Sequence, residues 1–409
     1  MKRSMKLSAI LWDESHLWGI WLFDALMKSG IAFDLIKAED LKSIERYKVL
    51  FVPGGWASNK LKAINEEGKE LIKEFVKNGV VYFGICGGAG LATKEGLCLV
   101  DVRRKKDRVP SFSGPFLATL SEHPLWKDIK KPKFYLWWPS EFEIKDAEIK
   151  VLATFKRALA QAYSSDLPVF DFEGNLEELE SLYEIKLNPD RMKNSPLFLE
   201  AKVEKGKAFL SLIHFDTPKD KRGMKVLQNL KEYLNLSELN FFKNYQKNTN
   251  KFGKDEKKNK IIDEMYRETK NLISFGERNF LFFKRYDFMY QWRRGIRGFE
   301  YVNLYFMIKR IKSEVNQSNQ LFSLISKEEL EELLEELKNF IKKAKELLIK
   351  ERIALQKAKL TFNYSDDETL SSIRNELFGS KKSYGGLYKD LIEKVDKIIY
   401  RILKERLAK

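Results

Sequence analysis

Cysteine is almost absent. Cys86 and Cys98 are the only two in 409 residues, which excludes a disulfide framework and fits a reducing compartment. Histidine is equally sparse, with His16, His123 and His214 far apart in the chain, so no metal-ligand spacing arises and no metal or cofactor is expected. No apolar run approaches the ~18 residues that a membrane-spanning helix needs. The opening "MKRSMKLSAILWDES" has the look of a short signal peptide, but Asp13 breaks its apolar run and no small-residue cleavage pattern follows. It reads as a first strand, and the expected location is the cytoplasm.

What is present is enough chain for two cores and an excess of positive charge. The formal charge of +16 is uneven, with about +12 over residues 241–409 and about +4 before them. Residues 243–260, "KNYQKNTNKFGKDEKKNK", are polar and nearly free of aliphatics, as a solvated linker should be. The expected organisation is therefore a domain over 1–242, a linker over 243–260 and a basic helical bundle over 261–409. No repeat of fixed period is visible.

Ahead of the linker, short apolar runs alternate with helical patterns. "KLSAILW" reads as a strand, "KVLFVP" and "VVYFG" as buried strands, and 15–29 and 65–78 as helices between them. Such alternation implies an α/β fold with a mostly parallel sheet. "FYLWW", "KVLATF" and "ALAQAYS" follow. "LFLEAKVEKGKAFLSLIHF" reads as a hairpin turning at 204–207, and a helix over 221–234 closes the domain.

Behind the linker nearly everything has helical spacing. Ser326 and Glu329 form a capping-box pattern, and Leu330, Leu334, Leu337, Ile341, Ala344 and Leu348 make one apolar stripe. This helix is expected to pack with helices over 261–275, 278–312 and 387–407 in an antiparallel bundle. Within 278–312, Arg285, Tyr286, Trp292, Arg293, Arg294 and Tyr305 mix cations with aromatics. The mixture suits either a nucleic-acid or other anionic partner or a bundle helix with aromatics inside and cations snorkelling outward.

The chemistry-bearing stretch is "VVYFGICGGAGLA", residues 80–92. Gly84, Cys86 and Gly88 form G-x-C-x-G directly after a buried strand and before a helix-like run. This is the cysteine form of a nucleophile elbow, a strained strand-turn-helix that exposes the nucleophile at the sheet edge. The helix N-terminus is expected to favour the thiolate and Gly87 N–H to face an oxyanion. "FVPGGWAS" ends another strand with Gly54 and Gly55, whose amides can approach a bound carbonyl. In "LSLIHFDTP", His214 and Asp216 stand two residues apart, on one face of an extended chain, as a base and its orienter. The bland alternatives are a packed Cys86 and a strand-capping His214; Cys98 reads as packing.

Other candidates belong to the same sheet edge. Asp13 and His16 follow the first strand, although Asp13 or Ser15 can equally cap the helix. Trp138, with Trp137, lines either a pocket or the core. His123 reads as a surface turn.

Cys, then His with a carboxylate two positions on, resembles the class I glutamine amidotransferase-like superfamily. The PGG loop, the "FGICGGA" elbow, "YLWWPSEF" and "GKAFLSLIHFD" together resemble the biotin-protein ligase N-terminal domain family over residues 5–235. The resemblance implies a flavodoxin-like three-layer sandwich and a Cys86, His214, Asp216 triad, with Asp where the superfamily usually has Glu. It does not import ligation chemistry: the nearest approach to a Gly/Arg-rich adenylate loop is "RRGIRG", residues 293–298, inside the helical stretch.

Three classes of function stay open on these residues. One is a cysteine-dependent hydrolase or amidotransferase-like enzyme acting on an amide or ester. Another is a non-catalytic module for a small-molecule ligand on the same fold. The third is an adaptor whose basic bundle binds an anionic partner.

Overall fold

The computed structural model describes residues 7–238, 255–317, 319–357, 367–380 and 384–408. The chain forms two compact units, Met1–Lys243 and Asn244–Lys409. Most of the expected linker lies outside the described residues; its last part, from Glu256, is already helix.

In the first unit the chain alternates β1 (Leu7–Leu11), α1 (His16–Ser29), β2 (Phe33–Ile36), β3 (Tyr47–Val52), α2 (Ala57–Lys77), β4 (Val81–Ile85) and α3 (Gly87–Ala92). β3 and β4 are buried along almost their whole length, the pattern of strands covered on both faces. α2 carries a kink at Asn65, whose side chain accepts the Gly68 N–H at 3.1 Å and restarts the helix. That restart is the helix expected from residue 65; the preceding turns escaped the reading.

The antiparallel part follows: β5 (Val102–Arg104), β6 (Phe112–Leu120), β7 (Lys133–Trp137), β8 (Phe142–Ile144), β9 (Lys150–Ala158), β10 (Tyr163–Ser164) and β11 (Leu167–Pro168). After α4 (Leu176–Tyr183) come β12 (Pro196–Val203), β13 (Gly206–Ser211) and α5 (Lys221–Leu234). β12 and β13 form the expected hairpin, turning at Glu204–Lys205.

An 11-stranded sheet results, ordered β11-β10-β6-β9-β12-β13-β4-β3-β1-β2 with β7 beside β6. β2, β1, β3, β4 and β13 pair in parallel, which is the flavodoxin strand order, 2-1-3-4-5 along the parallel strands. The other ladders of the sheet are antiparallel, an extension beyond that core. α1 packs with α5, and α2 with α3, giving the three-layer α/β sandwich.

The second unit holds α6 (Glu256–Arg278), a hairpin of β14 (Phe282–Tyr286) and β15 (Met289–Trp292), α7 (Gly298–Val315), α8 (Asn319–Phe322), α9 (Lys327–Gln356), α10 (Glu368–Phe378) and α11 (Gly386–Leu407). α9 starts as expected, with Ser326 Oγ accepting the Glu329 N–H at 3.0 Å and its apolar stripe buried. The single helix expected over 278–312 is instead the end of α6, the hairpin and α7. Gly276 and Gly298 explain the break: a Cβ there would lie 2.2 Å from the rings of Phe282 and Trp292 respectively, so the hairpin folds directly onto both glycines. "RRGIRG" is the turn from β15 into α7, with Arg374 donating to Gly295 O and Arg297 paired to Glu300.

Candidate active site

The sheet edge at the C-terminal ends of β1, β3, β4 and β13 collects every candidate from these strands. Cys86 follows β4 with φ 49° and ψ −105°, a sparsely populated conformation that costs free energy and persists only when neighbours enforce it. They do. Cys86 N–H donates to Ser211 O of β13 at 2.7 Å, and Tyr82 OH donates to Gly88 O at 2.6 Å. A Cβ on Gly84 would meet Gly88 O at 2.5 Å, and one on Gly88 would meet Val52 O at 2.0 Å. The elbow is therefore wedged backbone to backbone against its own strand and β3, which only glycine permits.

The same holds for the PGG loop. A Cβ on Gly87 would lie 1.8 Å from Gly55 O, so the two glycine turns touch without side chains between them. Gly55 has φ +119°, and a Cβ there would meet Glu14 O at 2.4 Å; at Gly54 it would fall 3.3 Å from His214 Cε1 and 3.0 Å from Trp18 Cγ. Gly54, Gly55, Gly87 and His214 thus form one neighbourhood.

His214 and Asp216 meet, but not through strand alternation. β13 ends at Ser211, and the pair sits in a turn closed by Thr217 N–H donating to His214 O at 3.1 Å. β7 pins this turn: His214 N–H donates to Tyr135 O at 3.0 Å, and Trp137 Nε1 to Thr217 Oγ1 at 3.1 Å. His214 Nδ1 and Asp216 Oδ1 are 2.9 Å apart, and both residues are buried. Burial opposes charge on the imidazole, but Asp216 and then Cys86 outweigh it and push the His214 pKa up to about 9. Among the described residues its buried Nε2 finds no well-aligned hydrogen-bond partner, and Cys86 is the neighbour that acts on the imidazole, through its side chain and by charge. Cys86 Sγ itself faces Trp137 O at 3.8 Å.

Asp13 and His16 lie beside this group in a second polar cluster. Neither Asp13 nor Ser15 caps α1 by its side chain: Asp13 Oδ2 accepts the Ala38 N–H at 2.8 Å, and Ser15 makes no side-chain cap bond. What organises the loop is Lys60, a fully buried lysine of α2. Its Nζ donates to Asp13 O at 2.8 Å and to Ser15 Oγ at 2.6 Å. Burial, helped by the Lys60 charge, lowers the His16 pKa to about 3, so His16 is neutral; burial raises that of Asp13.

Trp138 leaves β7 with φ 49°, its N–H donating to Phe112 O at 2.9 Å. Trp137 is core and Trp138 half-buried, so the two readings of the tryptophan pair divide between them. Trp18 bridges them to the site, its ring centroid 4.9 Å from that of His214 and 6.4 Å from that of Trp138. Lys60, Trp18 and Thr217 were missed by sequence reasoning: a lysine and a tryptophan in helical patterns carry no local mark. Two other expectations fail. Cys98 is exposed rather than packed, and the His123 side chain is largely buried, 3.4 Å from Glu200.

Among the described residues no group of His, Cys, Asp and Glu could hold a metal ion, and no helix is long and apolar enough to cross a membrane.

Fold and site together define an α/β domain with the flavodoxin strand order that carries a cysteine elbow beside a buried His–Asp pair. Within it, residues 31–106 match the family model described as "Biotin-protein ligase, N terminal", a stretch that contains the PGG loop and the elbow. No curated protein matches the chain. Solved structures similar to it include PurLQS from Thermotoga maritima, 12% identical, covering 56% of this chain and 99% of that one, TM-score 0.41. A glutamine amidotransferase from the same organism is 13% identical over 57% and 87%, TM-score 0.35. The beta-galactosidase of Bacillus circulans sp. alkalophilus is 12% identical over 58% and 32%, TM-score 0.36.

Proposed function

We propose that the first unit is a cysteine-dependent acyl-transfer enzyme, hydrolase or amidotransferase-like, that acts on an amide or ester. The observation that carries this reading is the convergence of a strained, half-buried Cys86 with a buried His214–Asp216 pair from the neighbouring strand end. With its pKa near 9, His214 holds its proton at neutral pH. It serves first as the counter-charge of the Cys86 thiolate and then as the acid that protonates the leaving group.

The steps balance as follows. Cys86 sulfur attacks the carbonyl carbon; the oxyanion is received by backbone amides of the touching Gly54–Gly55 and Gly87 turns. The amine or alcohol departs with the His214 proton, leaving a thioester. Water or another nucleophile then gives its proton to His214 and releases the acyl group, with Asp216 holding the ring in one orientation throughout. α3 spans only Gly87–Ala92, under two turns, so activation falls mainly to His214 and not to a helix dipole.

Iodoacetamide at pH 6.5 tests this. Cys86 should alkylate faster than Cys98, and His214→Ala should slow Cys86 alone. Exposure cannot mimic this outcome, because Cys98 is the exposed thiol. Labelling of Cys86 at or below the Cys98 rate, indifferent to His214→Ala, would sink the catalytic reading and leave a ligand pocket.

A further inference from the structure

The rim of the site is aromatic, and one of its members is held at a cost. Trp138 has φ 49°, in the left-handed region that a bulky side chain rarely occupies. Its preceding carbonyl, Trp137 O, is the oxygen facing Cys86 Sγ at 3.8 Å. Its ring continues a row with Trp18 and His214, at centroid separations of 6.4 and 4.9 Å. Trp18 and Trp21 are almost fully buried, whereas Trp138 reaches the surface. Trp56, which directly follows Gly55, is 43% exposed.

Resting on the acyl-transfer reading above, we infer that Trp138 determines specificity, and that the substrate class is an amide or ester bearing a flat aromatic ring beside the reacting carbonyl. The strained backbone at 138 holds the indole in the row with Trp18 and His214, one residue beyond the carbonyl that faces Cys86 Sγ. An indole face offers a planar group offset or edge-to-face contact that a puckered ring of equal size cannot make as well. A small polar acyl group would gain nothing from this wall.

The experiment compares three chloroacetamides on the full chain: N-benzyl, N-cyclohexylmethyl and N-methyl. In each the thiolate forms a C–S bond and chloride leaves, so the electrophile is constant. Rates at Cys86 are divided by those of glutathione, and Cys98 is the internal control. The benzyl probe should saturate and react roughly 10-fold faster than the other two at Cys86, with all three equal at Cys98. Trp138→Ala should abolish the benzyl advantage over the other two probes, and Trp138→Phe should keep most of it. Equal rates for benzyl and cyclohexylmethyl in the native protein would overturn the inference without any variant. So would an advantage that survives Trp138→Ala. The acyl-transfer reading fails separately, through an N-methyl rate at Cys86 that ignores His214→Ala.

Discussion

His214 is a fully buried imidazole that keeps its proton to about pH 9, and this has a thermodynamic consequence. A folded pKa raised from the ordinary 6.5 means that the native state holds a proton more tightly than the unfolded chain. The stabilisation is fully present below about pH 6.5, on the order of 3 kcal/mol, and is lost as pH rises through 9. Asp216→Asn removes the main partner. The variant's unfolding free energy at pH 6 should therefore fall below wild type by a few kcal/mol, and the gap should close by about pH 10. Denaturant melts of the first unit across that range check it; a gap independent of pH would mean that Asp216 acts through packing. At this scale much was legible. Cys86, Gly54, Gly55, Gly87, His214 and Asp216 stand in short motifs whose chemistry follows from residue type and strand position. Lys60 was not, because its burial depends on α2 meeting the loop after β1, where Nζ reaches Asp13 O and Ser15 Oγ, and nothing local announces that.

At the scale of elements, the site depends on two glycine turns in backbone contact. Gly87→Ala would put a Cβ 1.8 Å from Gly55 O, where no rotamer change can relieve the clash. The cost should exceed the roughly 1–3 kcal/mol of ordinary overpacking, and the turns should part, so Cys86 alkylation should drop to the Cys98 rate. Gly90→Ala is the control in the same helix: its nearest neighbours would be 3.6 and 3.7 Å away, ordinary contact, and alanine should gain about 0.5–1 kcal/mol of helix propensity. Melting temperatures that move equally for the two would refute the account. The elements themselves were readable where burial imposes one period, as in β1, β3, β4, α1 and α5. They were misread at 278–312, where tertiary packing overrides the pattern. Phe282 and Trp292 lie over glycines of the flanking helices, and a helical spacing of aromatics cannot be told from a hairpin that presents them alternately.

For the whole molecule, the two compact units and the Lys- and Asn-rich stretch between them suggest a physical boundary. Limited trypsin should cut between Lys243 and Lys254 and leave a folded fragment of roughly 240 residues. Cleavage elsewhere, with this stretch intact, would mean that the units share one core. The excess charge behind the boundary is a separate matter. Many cations of the second unit are already engaged: Lys338 with Glu264, Lys343 with Glu376, Arg374 with Glu351, and Lys394 with Glu332 and Glu336. A net charge spread over such pairs makes a weak polyanion site, and we propose the β14–β15 hairpin, where cations alternate with aromatic rings, as the place where an anionic strand would lie. There Lys284, Arg285, Arg293 and Arg294 stand on and beside β14 and β15, with Lys284 paired to Asp287, Arg285 donating to Gln291 and lying over Tyr286, and Arg293 over Phe283. Four cations on a single strand imply a log–log salt slope of roughly −3 and weak, sequence-tolerant affinity. Titrating the full chain with poly(U) between low and physiological salt should return that slope, and Lys284→Ala with Arg293→Ala should make it shallower by about 1.4. A slope untouched by the double substitution would move the contact off the hairpin. No binding at the lowest salt would leave the basic charge as solvated surface, its cations serving the bundle's own carboxylates.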